Sequence, residues 1–332
     1  TLEIDGALHT LNRRLAIALY GSGSGSLGDL GGGGLPVAAG PQTITLASAS
    51  DITNFEVGMW LQFPCDYTGV AALAAPAHRN GGIAGDIPVN VFVVLQVDRD
   101  AGTFVVDDGA AAAAGGSPGA IAAGQPIIPY SDLRFTAGAA AAGTYTNQKV
   151  DGLSSWLPSG AGRAAALLAP FNGVVRNVDG TRLGGIIFDG TAMPIEEALI
   201  SAASRAAREG ARPDTAFVDF ETFSTLEKAL GSKVLYTQAK ARDVDMGFHA
   251  MHVQGPRGLI SIVPDQNCPA NTAYLLQMDT WSINSLGSAP HILDLDGSRM
   301  LREAAFDAYE VRCGYYANLA CSAPGWNVKV SL

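Results

Sequence analysis

Three glycines at Gly23, Gly25 and Gly28, in the stretch GSGSGSLGDLGGGG (21–34), match the G-x-G-x-x-G spacing with which a backbone turn wraps a dinucleotide pyrophosphate. That chemistry needs a strand before the glycines and a helix opening on them, whose N-terminus meets the anion. Here the order is reversed: an amphipathic run precedes the glycines, and more glycine and Pro36 follow. A chance match in a glycine-dense stretch is the favoured reading. His249 and His252, three apart in GFHAMHVQG, would share a helical face and could hold a metal. Gly247, Gly255 and Pro256 bracket them, however, and no third ligand stands at suitable spacing. LDLDGSR (293–299) has two acids of a calcium loop but lacks the third acid and the closing Glu, so a turn held by Asp side chains is expected.

Cys65, Cys268, Cys313 and Cys321 form no C-x-x-C pair and no disulfide framework, and read as buried or interface thiols. Arg205, Arg208 and Arg212 suggest an anion patch, but at a helix C-terminus they complement its dipole, the favoured role. H-E-x-x-H and G-K-[ST] are both missing. Nothing in these residues supports an enzyme; catalytic, cofactor and metal residues are each expected to be none.

The elements that position these residues begin with a helix over 5–20, where Leu8, Leu11, Leu15 and Leu19 recur at steps of three and four. Between Gln42 and Asp108 the texture turns to short β runs, the last two joined by DRDAG with Gly102 free for positive φ. Two tracts rich in alanine and glycine, 110–124 and 136–143, read as pliable surface segments. Residues 151–190 mix turns with a β-like TRLGGIIFD.

Beyond them PIEEALISAASRAAREG predicts a helix, with Pro194 at its first position, Glu196 and Glu197 in the first turn, and Arg205, Arg208 and Gly210 at its close. A strand over 215–220 and a second helix capped at Gly231 follow. The last third is strand-rich, ending in one long alternating run, DAYEVRCGYYANLAC. The fold class is α+β with a largely antiparallel sheet.

Composition bounds the partners. Of 332 residues 48% are hydrophobic and only 16% charged, so a monomer would carry much uncharged surface, and burial against copies of the same chain resolves that. A net charge of -10 argues against wrapping nucleic acid, leaving only loose contact with DNA. Neither a membrane span nor a signal peptide is evident, which predicts a cytoplasmic chain. The N-terminal Thr1 fits either simple Met removal or a larger processing event.

The C-terminal half resembles the major capsid proteins of tailed bacteriophages, which share the Hong Kong phage-type fold. The residues that carry the likeness are ALISAASRAAREGARPDTAFVDFETFSTLEKALGSK (198–233), GPRGLISIVPDQNCP (255–269) and SLGSAPHILDLDGSRMLREAAFDAYEVRCGYYANLACSAPGW (285–326). LNRRLAIALYGSGSGSLGDL (11–30) also resembles that family's long helix running into a glycine-rich turn.

The resemblance implies peripheral and axial domains, an extended loop and an inserted β unit. Residues 1–41 become the spine-helix segment of the peripheral domain with its glycine-rich turn, 42–130 the inserted β unit and 131–190 the extended-loop region. The axial domain takes 191–303, and 304–332 return to the peripheral domain. Four residues before the helix are too few for the family's N-terminal arm and loop: either an N-terminal portion has been removed, or the loop stands later in the chain, the arrangement favoured here. No Lys and Asn pair matches the autocatalytic crosslink of the family's namesake, so a shell without covalent chainmail is expected.

The implied function is self-assembly into hexamers and pentamers of an icosahedral head around phage DNA, built in the host cytoplasm. Implied partners are a cement or decoration protein, portal and scaffold proteins and double-stranded DNA, with no membrane. A cellular nanocompartment shell of encapsulin type is the alternative, and a nucleotide-binding enzyme resting on Gly23, Gly25 and Gly28 a weaker one.

Overall fold

The computed structural model describes residues 2–23, 25–32, 41–62, 91–107, 126–129, 133–136, 144–147, 149–160, 162–231, 251–294, 297, 300–302 and 309–332. The chain is α+β and divides into two compact units, Gly21–Val150 and the joined segments Thr1–Tyr20 and Asp151–Leu332. Helix α1 (Leu2–Tyr20) opens the second of these, three residues earlier than its periodicity predicts. Leu15 and Tyr20 are buried and Leu8, Leu11 and Leu19 half-buried, so the leucine stripe is its packed face.

In the unit 21–150, β1 (Gly28–Asp29), β2 (Gln42–Thr45), β3 (Trp60–Gln62), β4 (Val91–Asp98), β5 (Thr103–Asp107) and β6 (Pro126–Pro129) pair in the order β1-β6-β3-β4-β5-β2. Every pairing is antiparallel. The two outer strands then meet: Leu30 bridges Leu46, Gly31 N–H donates to the Thr45 carbonyl at 2.7 Å, and Ala47 N–H to that of Asp29 at 2.8 Å. The sheet is thereby a closed six-stranded barrel with no free edge along this seam.

Phe55 stacks on Phe104 at 4.6 Å in its interior, among buried Ile44, Leu61, Val106 and Ile127. The β4–β5 turn is the one expected, with Gly102 at φ 63° and the Asp98 carboxylate accepting from Asp100 and Ala101 N–H. A separate hairpin joins β7 (Leu133–Thr136) to β8 (Thr144–Asn147). The tract 110–124, and 136–143 beyond its first residue, lie outside the described residues.

The larger unit continues with α2 (Leu153–Trp156), α3 (Arg163–Leu168), α4 (Gly180–Gly184), β9 (Ile186–Asp189), α5 (Ile195–Arg208), β10 (Thr215–Val218) and α6 (Phe220–Gly231). Next come β11 (Met251–Gly255), β12 (Gly258–Pro264) and β13 (Thr272–Leu276). With β20 (Val328–Ser331) they form a six-stranded sheet in the order β11-β12-β10-β13-β20-β9. Three pairings are antiparallel, while β10–β12 and β20–β9 are parallel.

Ala198, Leu199, Ala202, Ala203 and Ala206 of α5 pack on this sheet among Ala216, Val218, Ile262, Leu275 and Val330, all buried. Pro194 stands at the cap of α5 rather than at its first helical position, its carbonyl accepting Ala198 N–H at 2.9 Å. At the far end Gly210 (φ 92°) and Ala211 donate to Ala207 and Ala206, satisfying the last carbonyls in a Schellman motif.

β14 (Trp281–Ser285), β15 (His291–Ile292), β16 (Leu301–Arg302), β17 (Tyr309–Glu310), β18 (Cys313–Gly314) and β19 (Ala317–Cys321) form a single two-stranded ribbon, pairing β14–β19, β15–β18 and β16–β17. The long strand expected near the C-terminus is therefore three short ones. Its first break comes from surplus residues on the leading limb, 287–290 against Tyr315 alone, which throw the alternation out of register. Among the described residues no helix is long and apolar enough to cross a membrane.

Candidate self-association surfaces

At the C-terminal end of α1 the Tyr20 hydroxyl donates to Asp265 Oδ2 at 2.9 Å, and its ring meets Phe217 edge-on and tilts against Tyr274. Asp265 Oδ1 accepts from both the N–H and the Nδ2 of Asn267. Burial, and then the Asp265 charge, raise the Tyr20 phenol far above its ordinary value, so it stays a neutral donor. Beside this pair lies an apolar groove of about 410 Å³, lined by Ala16, Leu19, Leu153, Trp281, Ile283 and Leu319 among others. Ile283 on its rim is 51% exposed.

The ribbon that supplies Trp281 and Ile283 is anchored at its base by Asn327, which is fully buried. Asn327 Oδ1 accepts from Trp281 Nε1 and from Gln277 N–H, both at 2.9 Å. Its Nδ2 donates to Thr280 Oγ1 and to the Ala323 carbonyl. All four bonding positions of one amide are thus used to join three segments.

Residues 151–190, a mixture of turns by sequence, are held by two arginines. Arg163 donates to the carbonyls of Pro158, Gly180, Gly184 and Gly185. Arg176, 4% exposed, donates to those of Ser155, Trp156 and Ala166 and lies 4.2 Å over the Phe171 ring. Burial lowers both guanidinium pKa values, a cost that the carbonyls offset.

Between these anchors Phe171 and Val174 exchange both backbone bonds around Asn172 (φ 48°) and Gly173 (φ 81°), the two positive φ values of a type I′ turn. The segment so fixed exposes Leu168, Val174, Val175 and Val178. Periodicity was blind to it because the bonds that shape it run from side chains to carbonyls 5 to 22 residues away.

The residues whose chemistry the sequence raised are scattered. Gly23 and Gly25 have positive φ (77° and 71°) in the turn after α1, and Gly28 opens β1, so the fingerprint leads from a helix into a strand. His252 is exposed on β11 with Nδ1 3.2 Å from Ser261 Oγ, and His249 falls outside the described residues. Of LDLDGSR, Leu293, Asp294 and Gly297 are described, beyond the β15–β18 pairing. Arg205 pairs with Glu209 at 3.2 Å, while Arg208 and Arg212 are exposed. Cys65 is outside the described residues; Cys268 and Cys321 are buried free thiols and Cys313 a half-buried one. Burial raises the Cys268 thiol and pushes Cys321 up to about 11, so neither is a thiolate at neutral pH.

A model of the SU10 major capsid protein family matches residues 132–297, from the β7–β8 hairpin through the central sheet into the ribbon. No curated protein matches the chain. Among solved structures, a chain of the cyanophage A-1(L) capsid asymmetric unit is 18% identical, with a TM-score of 0.39, over 56% of this chain and 61% of that one. The protein thus spans less than two thirds of that chain's length. Since the family match takes in half of its residues, the chain belongs to the SU10 major capsid protein family, whose members are structural capsid proteins and not enzymes.

Proposed function

We propose that this protein is the shell subunit of a phage head, assembling with its own copies into hexamers and pentamers that close an icosahedral capsid around double-stranded DNA. The family match over 132–297 carries this reading. Apolar side chains left in water on the stapled segment and on the ribbon support it, because a chain with only 16% charged residues gains most by covering such surface with itself. Within it α1 serves as the spine, residues 131–190 as the extended-loop region with the β7–β8 hairpin, and 191–303 as the axial domain. The barrel is the inserted β unit.

Assembly takes place in the host cytoplasm, with portal and scaffold proteins guiding it and a cement protein reinforcing a shell without covalent crosslinks. The acidic chain makes only loose contact with the genome.

Negative-stain electron microscopy of the purified chain after size exclusion at physiological salt tests the assignment. Closed particles, or rings of five and six, are the expected result, and their nucleic-acid content separates a phage head from a protein-filled compartment. A homogeneous monomer at high concentration, with scaffold protein supplied, would overturn it.

A further inference from the structure

The chain enters and leaves the barrel at one place. Its first and last strands, β1 and β6, pair with each other, Gly28 against Ile127 and Asp29 against Pro126, and Leu27 N–H donates to the Ile127 carbonyl at 2.9 Å. The larger unit is likewise closed at its own break. Tyr20, where the chain departs, has its ring 5.9 Å from that of Tyr274, and Ser154, just after the return, bonds the Tyr274 hydroxyl at 2.9 Å. Adjacent ends on both sides are what an inserted, self-contained module requires.

The barrel also has its own core around Phe55 and Phe104. Its Leu30–Leu46 seam leaves no edge there for a strand of another copy to join, whereas the central sheet ends in the edge strands β11 and β9. The family match begins at residue 132, past the last barrel strand. The exposed apolar residues of the stapled segment and of the ribbon all belong to the larger unit.

We propose that the barrel is a passenger: it folds by itself and takes no part in the contacts that close the shell, which reside in the larger unit and the β7–β8 hairpin. This division rests on the shell-subunit reading above and deepens it by assigning assembly to one part of the chain.

Scanning calorimetry of the full-length, unassembled protein tests the folding half. Two transitions are expected, with Phe104→Ala lowering one by more than about 10 °C and Asn327→Leu lowering only the other. One transition that both variants shift would overturn independent folding. The assembly half is read from the lowest concentration at which particles form. Trp60 and Leu95, 47% and 44% exposed, are the largest apolar side chains that the described part of the barrel leaves in water. The full-length double variant Trp60→Ser, Leu95→Ser should assemble at the wild-type concentration. A rise of about tenfold or more would put the barrel among the shell contacts and overturn the division while the shell reading stands. A wild-type chain that stays monomeric with scaffold protein supplied removes both.

Discussion

Gly31 donates its backbone N–H to the Thr45 carbonyl at 2.7 Å, and a side chain on Gly31 would stand 2.8 Å from that oxygen and from the Leu46 oxygen. The barrel therefore closes only where no Cβ intervenes. Gly31→Ala forces the seam apart at a cost of about 2 kcal/mol. Gly32→Ala, one residue on, meets nothing within 4 Å and serves as the control. Hydrogen exchange over residues 41–47 should accelerate in the first variant and not in the second. Equal behaviour of the two would show that the seam does not depend on close approach.

The same seam carries a pH dependence. Burial, and then the neighbouring Asp29 charge, push the Asp51 carboxyl up from 3.8 to about 6. A raised carboxyl pKa means the folded barrel holds a proton that the unfolded chain has released, so stability falls as pH rises from about 4 to about 6 and stays lower above that. Solvent screening of a half-buried group reduces the effect to about 1 kcal/mol. Asp51→Asn should flatten the slope, leaving the smaller part due to Asp29, whose carboxyl burial also raises, and stabilise the barrel at pH 7.5. Melting curves at pH 5 and 7.5 check this, and a wild-type barrel more stable at the higher pH would contradict it.

Asn327 offers a sharper stability test in the other unit. Asn327→Leu fills much the same volume but strands Trp281 Nε1 and Gln277 N–H, both of which the amide oxygen accepts. Leaving two buried donors unpaired costs about 3 kcal/mol. Urea denaturation should show that loss, and Trp281 fluorescence should shift as the base of the ribbon loosens. An unchanged midpoint would mean that water takes over both donors.

What the sequence made legible follows from how local each signal is. The leucine steps of α1, the Arg-to-Gly close of α5 and the Gly102 turn are set within a few residues, and each stands where its pattern puts it. Barrel closure depends on Leu30 meeting Leu46 from opposite edges of a sheet, which no periodicity encodes. The ribbon's alternation was visible, but the surplus residues at 287–290 that break it are defined only by the pairing partner. The candidate surface was the least legible: composition pointed to self-association, while the groove joins α1 to residues more than 260 positions away.

Arg176 ties that surface to stability, and its substitution separates charge from geometry. Its guanidinium reaches the carbonyls of Ser155, Trp156 and Ala166 while stacking on Phe171. A lysine keeps the positive charge but has neither the planar fork nor the stacking face. Arg176→Lys should thus lose about 3 kcal/mol of local stability, nearly as much as Arg176→Met, because carbonyls are stranded in both. Proteolysis between Leu168 and Asp179 would report the loosened segment, and particle yield should fall in step with cleavage. If the lysine variant matched wild type in both, charge alone would be holding the segment, and the rigid presentation of Leu168 and Val178 would need another cause.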